Sequence, residues 1–590
     1  MKNQMSHITY MQTLEYQDLI KYIKINVDES FFEPFMSRKY LEWIYNNKDF
    51  SASEKKIIIE QMKAKMPYYD SQLELNYRFI EIFFPIATKI YEEICDLIKG
   101  KFENSMYIFS YCLGKYIEIN PDAIGKAKEL LIKVAMTILD EKHWDFEHPI
   151  IIPDAIYYQY LSLIEKLYKK AILFGVLREK YDAISFFRER IVDITFFNKT
   201  PMITLCLVDS EFESGLQYGC QYENYLAHVK VESDNPIYKY YKCKICRYCS
   251  LIGISNEEKD VAVNLLNRQF LRMKFVDAIF FYTGTLPSYM LSVISLIYTE
   301  IVKLILFSEQ SYVILSKNEI RKNMLWGDCI TNSDFNDCYD IIINREQYKG
   351  YFLPLVDKDS LLIGKWMFDL DMSIIECAKS VSLDAKKSEQ LGKSSNFFGK
   401  EVFEKIVRGC LKNYNWQVVE NGVKLKNNKQ FISDVDLIAY KDGIVLIGEI
   451  KVAHCERSTY QIWKASVTLR RAQEQVKNVT DILKNDLTLL RSIFAKYNIK
   501  LQKQDIKCII SIVVTTSSYF TNPSNKPIII GFDMLRELMY YVKDENNQEI
   551  ILQALTNPIS MFSYSSVSKI KSVIETDMFN INYEEIEFNN

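Results

Sequence analysis

The stretch DVDLIAYKDGIVLIGEIKVAH, residues 434–454, constrains the fold more than any other part of the sequence. Two apolar runs flank Asp442-Gly443, a dipeptide that favours a two-residue turn between antiparallel strands. The second run is apolar enough to be a buried strand, yet it contains Glu449 and Lys451. A buried strand tolerates such charges only when they are paired or bind an ion. The stretch therefore predicts a β-hairpin whose charged residues have a specific task.

The predicted two-residue turn also fixes which residues face one another. It places Asp436 opposite Glu449, with Cβ atoms about 4.5 to 5.5 Å apart. Because side chains alternate along a strand, Lys451 shares the face of Glu449, and Asp434 shares the face of Asp436. Two carboxylates this close repel unless a cation lies between them, and Mg²⁺ prefers oxygen ligands of this kind. The alternative is a surface hairpin on which Lys451 only forms an ion pair, but the apolar flanks favour the buried arrangement.

Helix and strand signals alternate in the residues that surround this hairpin. The predicted elements are, in order, a helix at GKEVFEKIVRGCLKN, strands at WQVVE, DVDLIAY and IVLIGEIKV, a long helix through KASVTLRRAQEQVKNVTDILKN and a strand at IKCIISIVVTT, after which KPIIIGF leads into DMLRELMYYV. The order α-β-β-β-α-β predicts a mixed central sheet flanked by helices.

A chain of 590 residues is too long for one hydrophobic core, so several domains are expected. The predicted divisions are a mainly α-helical region at 1–315 with one or two subdomains, a mixed α/β segment at 316–383, a linker at 384–398, the αβββαβ domain at 399–560, and an acidic C-terminal tail at 561–590. The predicted fold class is a multidomain α+β or α/β protein with a large helical N-terminal region.

A family resemblance rests on Asp436 and, thirteen residues later, Glu449-Ile450-Lys451. These residues resemble the PD-(D/E)xK signature of the restriction-endonuclease-like nuclease superfamily, although Val435 stands where the signature has proline. The helix GKEVFEKIV is similar to the glutamate-bearing helix of that family, and RRAQEQVKN is similar to its glutamine-bearing helix. The resemblance covers roughly a quarter of the chain and implies a restriction-endonuclease-like fold for the C-terminal domain.

Each of these two helices offers two candidate polar residues. On the first, Glu404 flanks the apolar stripe, whereas Glu401 lies nearly opposite it. On the second, Gln473 and Gln475 flank the apolar face on opposite sides, so periodicity does not choose between them. The Ala-x-x-Gln spacing of the family favours Gln475. The resemblance implies that Glu404 binds a second ion or a metal-bound water, and that Gln475 orients Lys451 or the nucleophile.

The activity that the resemblance implies is metal-dependent hydrolysis of phosphodiester bonds. Asp436 and Glu449 would hold Mg²⁺ or Mn²⁺, the backbone carbonyl of Ile450 would add a ligand, and Lys451 would assist the attacking water. Asp434 would lie at the rim of the site or substitute as a ligand.

Charge is distributed unevenly along the chain and favours a polyanionic partner for the C-terminal domain. The formal net charge is -3, yet residues 399–550 contain 23 lysines and arginines against 17 aspartates and glutamates. Nucleic acid, with DNA ahead of RNA, is the expected partner, and the layout is analogous to proteins of bacterial restriction or antiviral defence. The helical region would recognise a partner, form a homo-oligomer or control access.

An alternative function stays open from the sequence. The chain would then be a nucleic-acid-binding or scaffolding protein whose nuclease-like domain is weakly or conditionally active. The presence of Asp436, Glu449 and Lys451 together argues against an inactive site, because loss of any one of them is expected to disable catalysis.

A second metal site is suggested by CKICRYC, which supplies Cys243, Cys246 and Cys249 at two-residue gaps. Three thiolates at close spacing suit Zn²⁺, with Cys220 or His228 as the fourth ligand. The alternative is a set of unliganded thiols on a helix.

The N-terminal sequence and the number of cysteines indicate in which cellular compartment the protein is expected. The N-terminus lacks a basic segment followed by an apolar run, and an odd number of cysteines, thirteen, favours reduced thiols. The longest uncharged run, Ala278 to Thr299, is interrupted by Gly284 and Pro287, which favours a buried helix over a membrane span. These features predict a cytoplasmic protein without a membrane partner.

Overall fold

The structure of this chain is a computed structural model. Its described residues are 7, 9–32, 34–102, 106–120, 126–138, 154–186, 188–209, 212–217, 293, 296–297, 300, 312–324, 327–343, 360–364, 393, 396–420, 422–427, 430–453, 459–517, 519–520, 526–543, 548–556 and 566–589. They form a mixed architecture of helices and sheets, which confirms the predicted class at that level.

Helices make up most of the described N-terminal part. In chain order the α-helices are α1 (Tyr16–Asn26), α2 (Pro34–Asn46), α3 (Ala52–Lys65), α4 (Asp70–Lys101), α5 (Met106–Ile119), α6 (Lys126–Ile138), α7 (Asp154–Ser185), α8 (Lys317–Asn323), α9 (Asn332–Ile343), α10 (Glu404–Asn413), α11 (Thr459–Asn485), α12 (Leu487–Lys496), α13 (Phe532–Tyr541) and α14 (Gln548–Thr556). A π-helical segment, Phe398–Phe403, leads into α10. Local signals set the ends: α3 begins at a capping box, in which Ser51 and Glu54 bond each other's backbone N–H groups.

Strands form two large sheets and two small ones. They are β1 (Glu189–Phe197), β2 (Thr200–Leu207), β3 (Tyr312–Ser316), β4 (Ser360–Gly364), β5 (Gln417–Val418), β6 (Val423–Asn427), β7 (Gln430–Val435), β8 (Leu437–Lys441), β9 (Ile444–Lys451), β10 (Cys508–Thr515), β11 (Ile528–Gly531), β12 (Ser566–Glu575) and β13 (Asn580–Asn589). The sheet orders are β11-β10-β9-β8-β5, β1-β2-β13-β12, β3-β4 and β6-β7.

The five-stranded sheet contains the predicted hairpin at its centre. Strand β9 pairs antiparallel with β8 and parallel with β10, and the β8–β9 register is the predicted one, with Leu437 opposite Gly448. Asp442 and Gly443 both have positive φ, as a two-residue hairpin turn requires. A Cβ atom at Gly448 would lie 3.1 Å from the carbonyl oxygen of Ile512, closer than most Cβ contacts, so a larger residue here would require β10 to shift by a few tenths of an ångström.

Helices α11 and α12 cover one face of this sheet. The apolar stripe of α11 packs against the buried side of β9 and β10, and the shared core comprises Val445, Ile447, Val513, Ala465, Leu469, Ala472, Val476, Val479, Leu483, Leu490 and Phe494 among others. Every residue of β9 before Lys451 is buried. Because both faces of β9 are buried, its sequence is a nearly continuous apolar run and does not alternate between apolar and polar residues.

The four-stranded sheet corrects the prediction for the C-terminus. Residues 561–590 were expected as an acidic tail, but β12 and β13 form an antiparallel pair within that segment. Strand β13 then pairs in parallel with β2, so residues 200–207 and 580–589 share one sheet. Strands β1 and β2 also lie inside the region predicted as mainly helical. Ile581 and Ile586 of β13 are buried although the strand, NINYEEIEFN, is rich in acidic residues.

Two largely buried ion pairs lie at the start of β1 in this sheet. They are Lys180–Glu189 and Arg188–Glu213, here called the sheet cluster. Lys180 pairs with Glu189 at 2.5 Å, and its ammonium group lies 3.8 Å from the ring centre of Tyr583. Arg188 donates two hydrogen bonds to Glu213, at 2.6 and 2.7 Å. Each cation has its own carboxylate, although Oε2 of Glu189 is buried without a hydrogen-bond partner among the described residues.

Compact units follow a different division from the predicted domains. One unit comprises residues 1–86, 178–261 and 403–590, and the other comprises 87–177 and 262–402. The first unit therefore joins N-terminal and C-terminal segments, whereas the predicted boundaries followed chain order. No helix among the described residues is long and apolar enough to cross a membrane, and most of the Ala278 to Thr299 run lies outside those residues.

Candidate active site

Asp436 lies in the short break between β7 and β8, beside the end of β9. Its Oδ2 atom accepts a hydrogen bond from the backbone N–H of Ile450 at 3.0 Å. The carboxylate thus occupies the position opposite Glu449 that the register predicts, although Asp436 itself is outside the paired part of the strands. The break in the strand frees the side chain to turn onto the neighbouring backbone.

Lys451 lies between the two carboxylates. Its Nζ atom is 3.1 Å from Oδ2 of Asp436 and also forms a close ion pair with Oε2 of Glu449. Asp436 and Lys451 are 18% and 28% exposed at their side chains, whereas Glu449 is only 1% exposed. The predicted trio therefore converges at a site that solvent reaches from the Lys451 side.

Burial of Glu449 makes its charge costly. Burial first, and the Asp436 carboxylate second, raise the pKa of Glu449 to about 8, although Lys451 opposes the shift. For Lys451, burial alone would lower the pKa, but the two carboxylates outweigh it and raise the pKa. A carboxylate in this condition is stabilised by additional positive charge near it.

Gln475, not Gln473, reaches these residues. The Nε2 atom of Gln475 lies 2.9 Å from Oε1 of Glu449 and 3.2 Å from Oδ1 of Asp434. Gln473 lies on the other side of α11, buried, and donates to the carbonyl of Pro527 at 2.7 Å. Gln475 contacts the carboxylates of Glu449 and Asp434 and the backbone carbonyl of Asp434, so it is placed to orient Glu449. Its role toward Lys451 or the nucleophile stays a prediction.

Glu404 begins α10 and pairs with Arg408, one turn later on the same helix, at 2.6 Å. Burial, and then the charge of Asp436, raise the pKa of Glu404 against the opposing effect of Arg408. Arg408 also donates to the backbone carbonyl of Asp436 at 2.6 Å. Glu401 is exposed on the preceding π-helical segment, in line with the preference for Glu404.

Arg408 is the residue that sequence reasoning missed. It is only 7% exposed, and it connects the Glu404 carboxylate to the backbone at Asp436. A signal was present, because a glutamate and an arginine four residues apart lie on one side of a helix. In the sequence, this helix was recognised by the apolar stripe that contains Val407 and Cys410, and the arginine beside the stripe was not singled out.

Hydroxyl groups fix the end of β9 beyond Lys451. Thr516 accepts from the Ala453 N–H at 3.2 Å and donates to the Ala453 carbonyl at 3.0 Å. Ser517 donates to the same carbonyl. The chain that leaves the site is therefore tied to the end of β10, which limits movement of the side chains at the end of β9.

The oxygen donors fit a hard divalent cation held by few protein ligands. Mg²⁺ is commonly bound through one or two carboxylates, with water and substrate phosphate completing its shell. Asp436 and Glu449 provide two such groups, and Lys451 occupies the space between them as a cation would. Within the described ranges, no three Asp, Glu, His or Cys side chains come together as a metal-binding group. Glu404 pairs with Arg408, and its role toward a second ion or a metal-bound water stays a prediction.

The predicted zinc ligands cannot be placed in the same way. Cys220, Cys243, Cys246 and Cys249, with the alternative His228, all lie outside the described residues.

The site combines two carboxylates, a lysine that faces solvent and an amide that fixes one carboxylate. Such a set is suited to binding a divalent ion and to stabilising charge on a phosphate. No protein-family model, curated protein or solved structure matches this chain.

Proposed function

We propose that this chain is a metal-dependent nuclease that hydrolyses phosphodiester bonds, with DNA favoured over RNA. The observation that carries the proposal is the convergence of Asp436, Glu449, Lys451 and Gln475 at the end of β9. Hydrolysis of a phosphodiester needs ligands for an ion, a cation beside the phosphate and groups that hold both in place. These four side chains offer each of those functions, and Asp434 at the rim is exposed to solvent.

We further infer that residues 399–560 form a restriction-endonuclease-like domain. The element order α10, β8, β9, α11 and β10 supports this fold, with β9 antiparallel to β8 and parallel to β10. The PD-(D/E)xK resemblance of Asp436, Glu449 and Lys451 rests on the same hairpin. A glutamate-bearing helix precedes the sheet and a glutamine-bearing helix follows the lysine strand, as that family implies.

The roles of the side chains follow from their contacts. Asp436 and Glu449 would hold Mg²⁺ or Mn²⁺ through their carboxylate oxygens. The bound ion would supply positive charge to the phosphate and lower the pKa of the attacking water. Lys451 stabilises charge that develops on the phosphate oxygens. Gln475 and the Ile450 N–H fix the Glu449 and Asp436 carboxylates, respectively.

The remainder of the chain would recognise the target or control access to the site, alone, as a homo-oligomer or with a protein partner. A cytoplasmic role in restriction or antiviral defence is consistent with a nuclease domain attached to a large recognition region.

The proposal is tested by incubating the purified protein with plasmid, linear DNA and RNA in Mg²⁺ or Mn²⁺. We expect cleavage that depends on the metal and stops in EDTA. Plasmid separates endonuclease from exonuclease action, because a closed circle offers no ends. Asp436→Ala and Lys451→Ala, assayed beside the unmodified protein, are expected to be inactive.

Two results would count against the proposal. Cleavage that persists unchanged in both variants would mean that another site, or a contaminant, acts on the substrate. No cleavage of any substrate by the unmodified protein would favour the nucleic-acid-binding or scaffolding alternative.

A further inference from the structure

Helix α11 carries two exposed cations on the edge that contains Gln475. Arg471 and Lys464 lie four and eleven residues before Gln475, which at 3.6 residues per turn places all three within about 40° of one another on the helix. At about 1.5 Å of rise per residue, Arg471 lies about 6 Å and Lys464 about 16 Å from Gln475 along the axis. This edge therefore continues outward from the candidate active site as a line of positive charge.

A third exposed cation reaches the same place from another element. Lys424 on β6 is paired directly with Asp434 on β7, so their side chains share one face of that hairpin. Asp434 in turn accepts a hydrogen bond from Gln475. Lys424 and Arg471 thus both lie near Gln475, on separate elements.

The cations on the two sides of α11 differ in their partners. Arg470, which lies away from Gln475, forms an ion pair with Asp209. Across the part of the chain that the structure describes, neither Lys424, Lys464 nor Arg471 has an ion pair. Structural pairing therefore accounts for Arg470 and leaves the other three charges available to a ligand.

The site itself explains why such a ligand needs cations at the flanks. Four carboxylates lie at the site, those of Glu404, Asp434, Asp436 and Glu449, and the cations that contact them among the described residues are Lys451 and Arg408. A polyanion approaching this excess of negative charge is repelled unless positive charge lies beside its path. Lysine and arginine that neutralise phosphates supply most of the sequence-independent affinity for nucleic acids.

We propose that Lys424, Arg471 and Lys464 form a phosphate-binding track for the sugar-phosphate backbone of a nucleic acid. The track holds the phosphates on either side of the phosphodiester that is hydrolysed beside Lys451. This inference rests on the proposed function. Its ligand chemistry is the phosphodiester backbone that DNA and RNA share. Binding along the track is independent of base sequence, because the contacts are to phosphates.

The test is equilibrium binding of fluorescent DNA and RNA oligonucleotides of one sequence to the full-length protein, measured by anisotropy in EDTA over a salt series. Each of Lys424→Ala, Arg471→Ala and Lys464→Ala is expected to weaken binding and to lower the slope of log Kd against log salt by about one. In the triple variant, the slope of log Kd against log salt is expected to fall by about three. Lys477→Ala is the matched control, because Lys477 is an exposed lysine on the opposite side of α11.

Three outcomes would overturn the track: a triple variant with the wild-type slope, a loss in Lys477→Ala equal to that in Arg471→Ala, or no binding of either polymer by the unmodified protein. Salt-dependent losses confined to the three track variants support it, and the polymer bound more tightly identifies the substrate. Failure of the nuclease proposal is distinguishable. A protein that binds through the track without cleaving in Mg²⁺ upholds the track alone, and one that cleaves while the triple variant keeps its slope upholds the nuclease alone.

Discussion

Two buried groups of charges in the same compact unit differ in their balance. In the sheet cluster, Lys180 faces Glu189 and Arg188 faces Glu213, one cation for each carboxylate. At the candidate active site a single lysine, Lys451, serves two carboxylates, and one of them is almost fully buried. Balanced pairs hold a fold together, whereas an excess of buried negative charge is costly until a further cation arrives.

Removing the charge of Lys451 at the candidate active site is expected to have the largest effect. Lys451→Met keeps the length of the side chain and removes its charge, so charge on the phosphate in the transition state loses its stabilisation. We expect the cleavage rate to fall about 10³-fold. Initial rates with a plasmid substrate measure the loss, and circular dichroism verifies that the variant is folded. A rate within a few-fold of wild type would remove Lys451 from the mechanism.

The corresponding change in the sheet cluster should affect stability and not chemistry. Lys180→Met leaves Glu189 buried without its partner and also removes the contact with Tyr583. We expect the free energy of unfolding to fall by about 3 kcal/mol at neutral pH, with cleavage per folded molecule unchanged.

The loss in Lys180→Met should depend on pH. Burial raises the pKa of Glu189, so as pH falls the folded protein takes up a proton before the unfolded chain does, and the stranded charge disappears. Urea unfolding at neutral and acidic pH measures this. An equal loss at both values would contradict the assignment of the penalty to Glu189.

Gln473 and Gln475 repeat the comparison within one helix. Gln473→Ala leaves the buried carbonyl of Pro527 unsatisfied and is expected to cost about 1 to 3 kcal/mol of stability without changing the cleavage mechanism. Gln475→Ala releases Glu449 and is expected to lower activity about 10- to 100-fold with little loss of stability. The reverse pattern would exchange the structural and functional roles of these two residues.

The smallest expected effect concerns pH and metal affinity. Because burial raises the pKa of Glu449 to about 8, protons compete with a metal ion at neutral pH. Mn²⁺ affinity should therefore rise by up to about tenfold per pH unit and level off above that pKa. Calorimetry over a pH series tests this, and Glu449→Gln should abolish the dependence. Affinity that does not change with pH would mean that Glu449 is not a ligand.

The hairpin was predictable because its signals are local. Asp442-Gly443 fixed the turn, the turn fixed the register, and alternation along β9 brought Lys451 to the side of Glu449. Each step depends on neighbouring residues only, so no knowledge of the distant chain was needed.

Other parts of the site depend on contacts that periodicity does not contain. Gln473 and Gln475 are symmetric about the apolar face of α11, and only what lies on each side, Pro527 or Glu449, distinguishes them. The same applies to Arg408, whose importance depends on the backbone of Asp436 lying beside it.

The four-stranded sheet was the least predictable feature. Its strands lie at residues 189–207 and 566–589, almost four hundred residues apart, and no local pattern states which distant strand will pair with which. An acidic composition favoured a tail, yet Ile581 and Ile586 are buried. Burial of these apolar side chains outweighed the tendency of the charged residues to stay in solvent.

In the proposed function, the site of Asp436, Glu449 and Lys451 performs chemistry, whereas the sheet cluster only stabilises the fold. The most direct test is to measure plasmid cleavage rates in Mg²⁺ for the unmodified protein, Lys451→Met and Lys180→Met, each normalised to its folded fraction. We expect cleavage by the unmodified protein and by Lys180→Met at equal rates, and cleavage about 10³-fold slower by Lys451→Met. Equal rates from all three proteins, or cleavage by none of them, would contradict it.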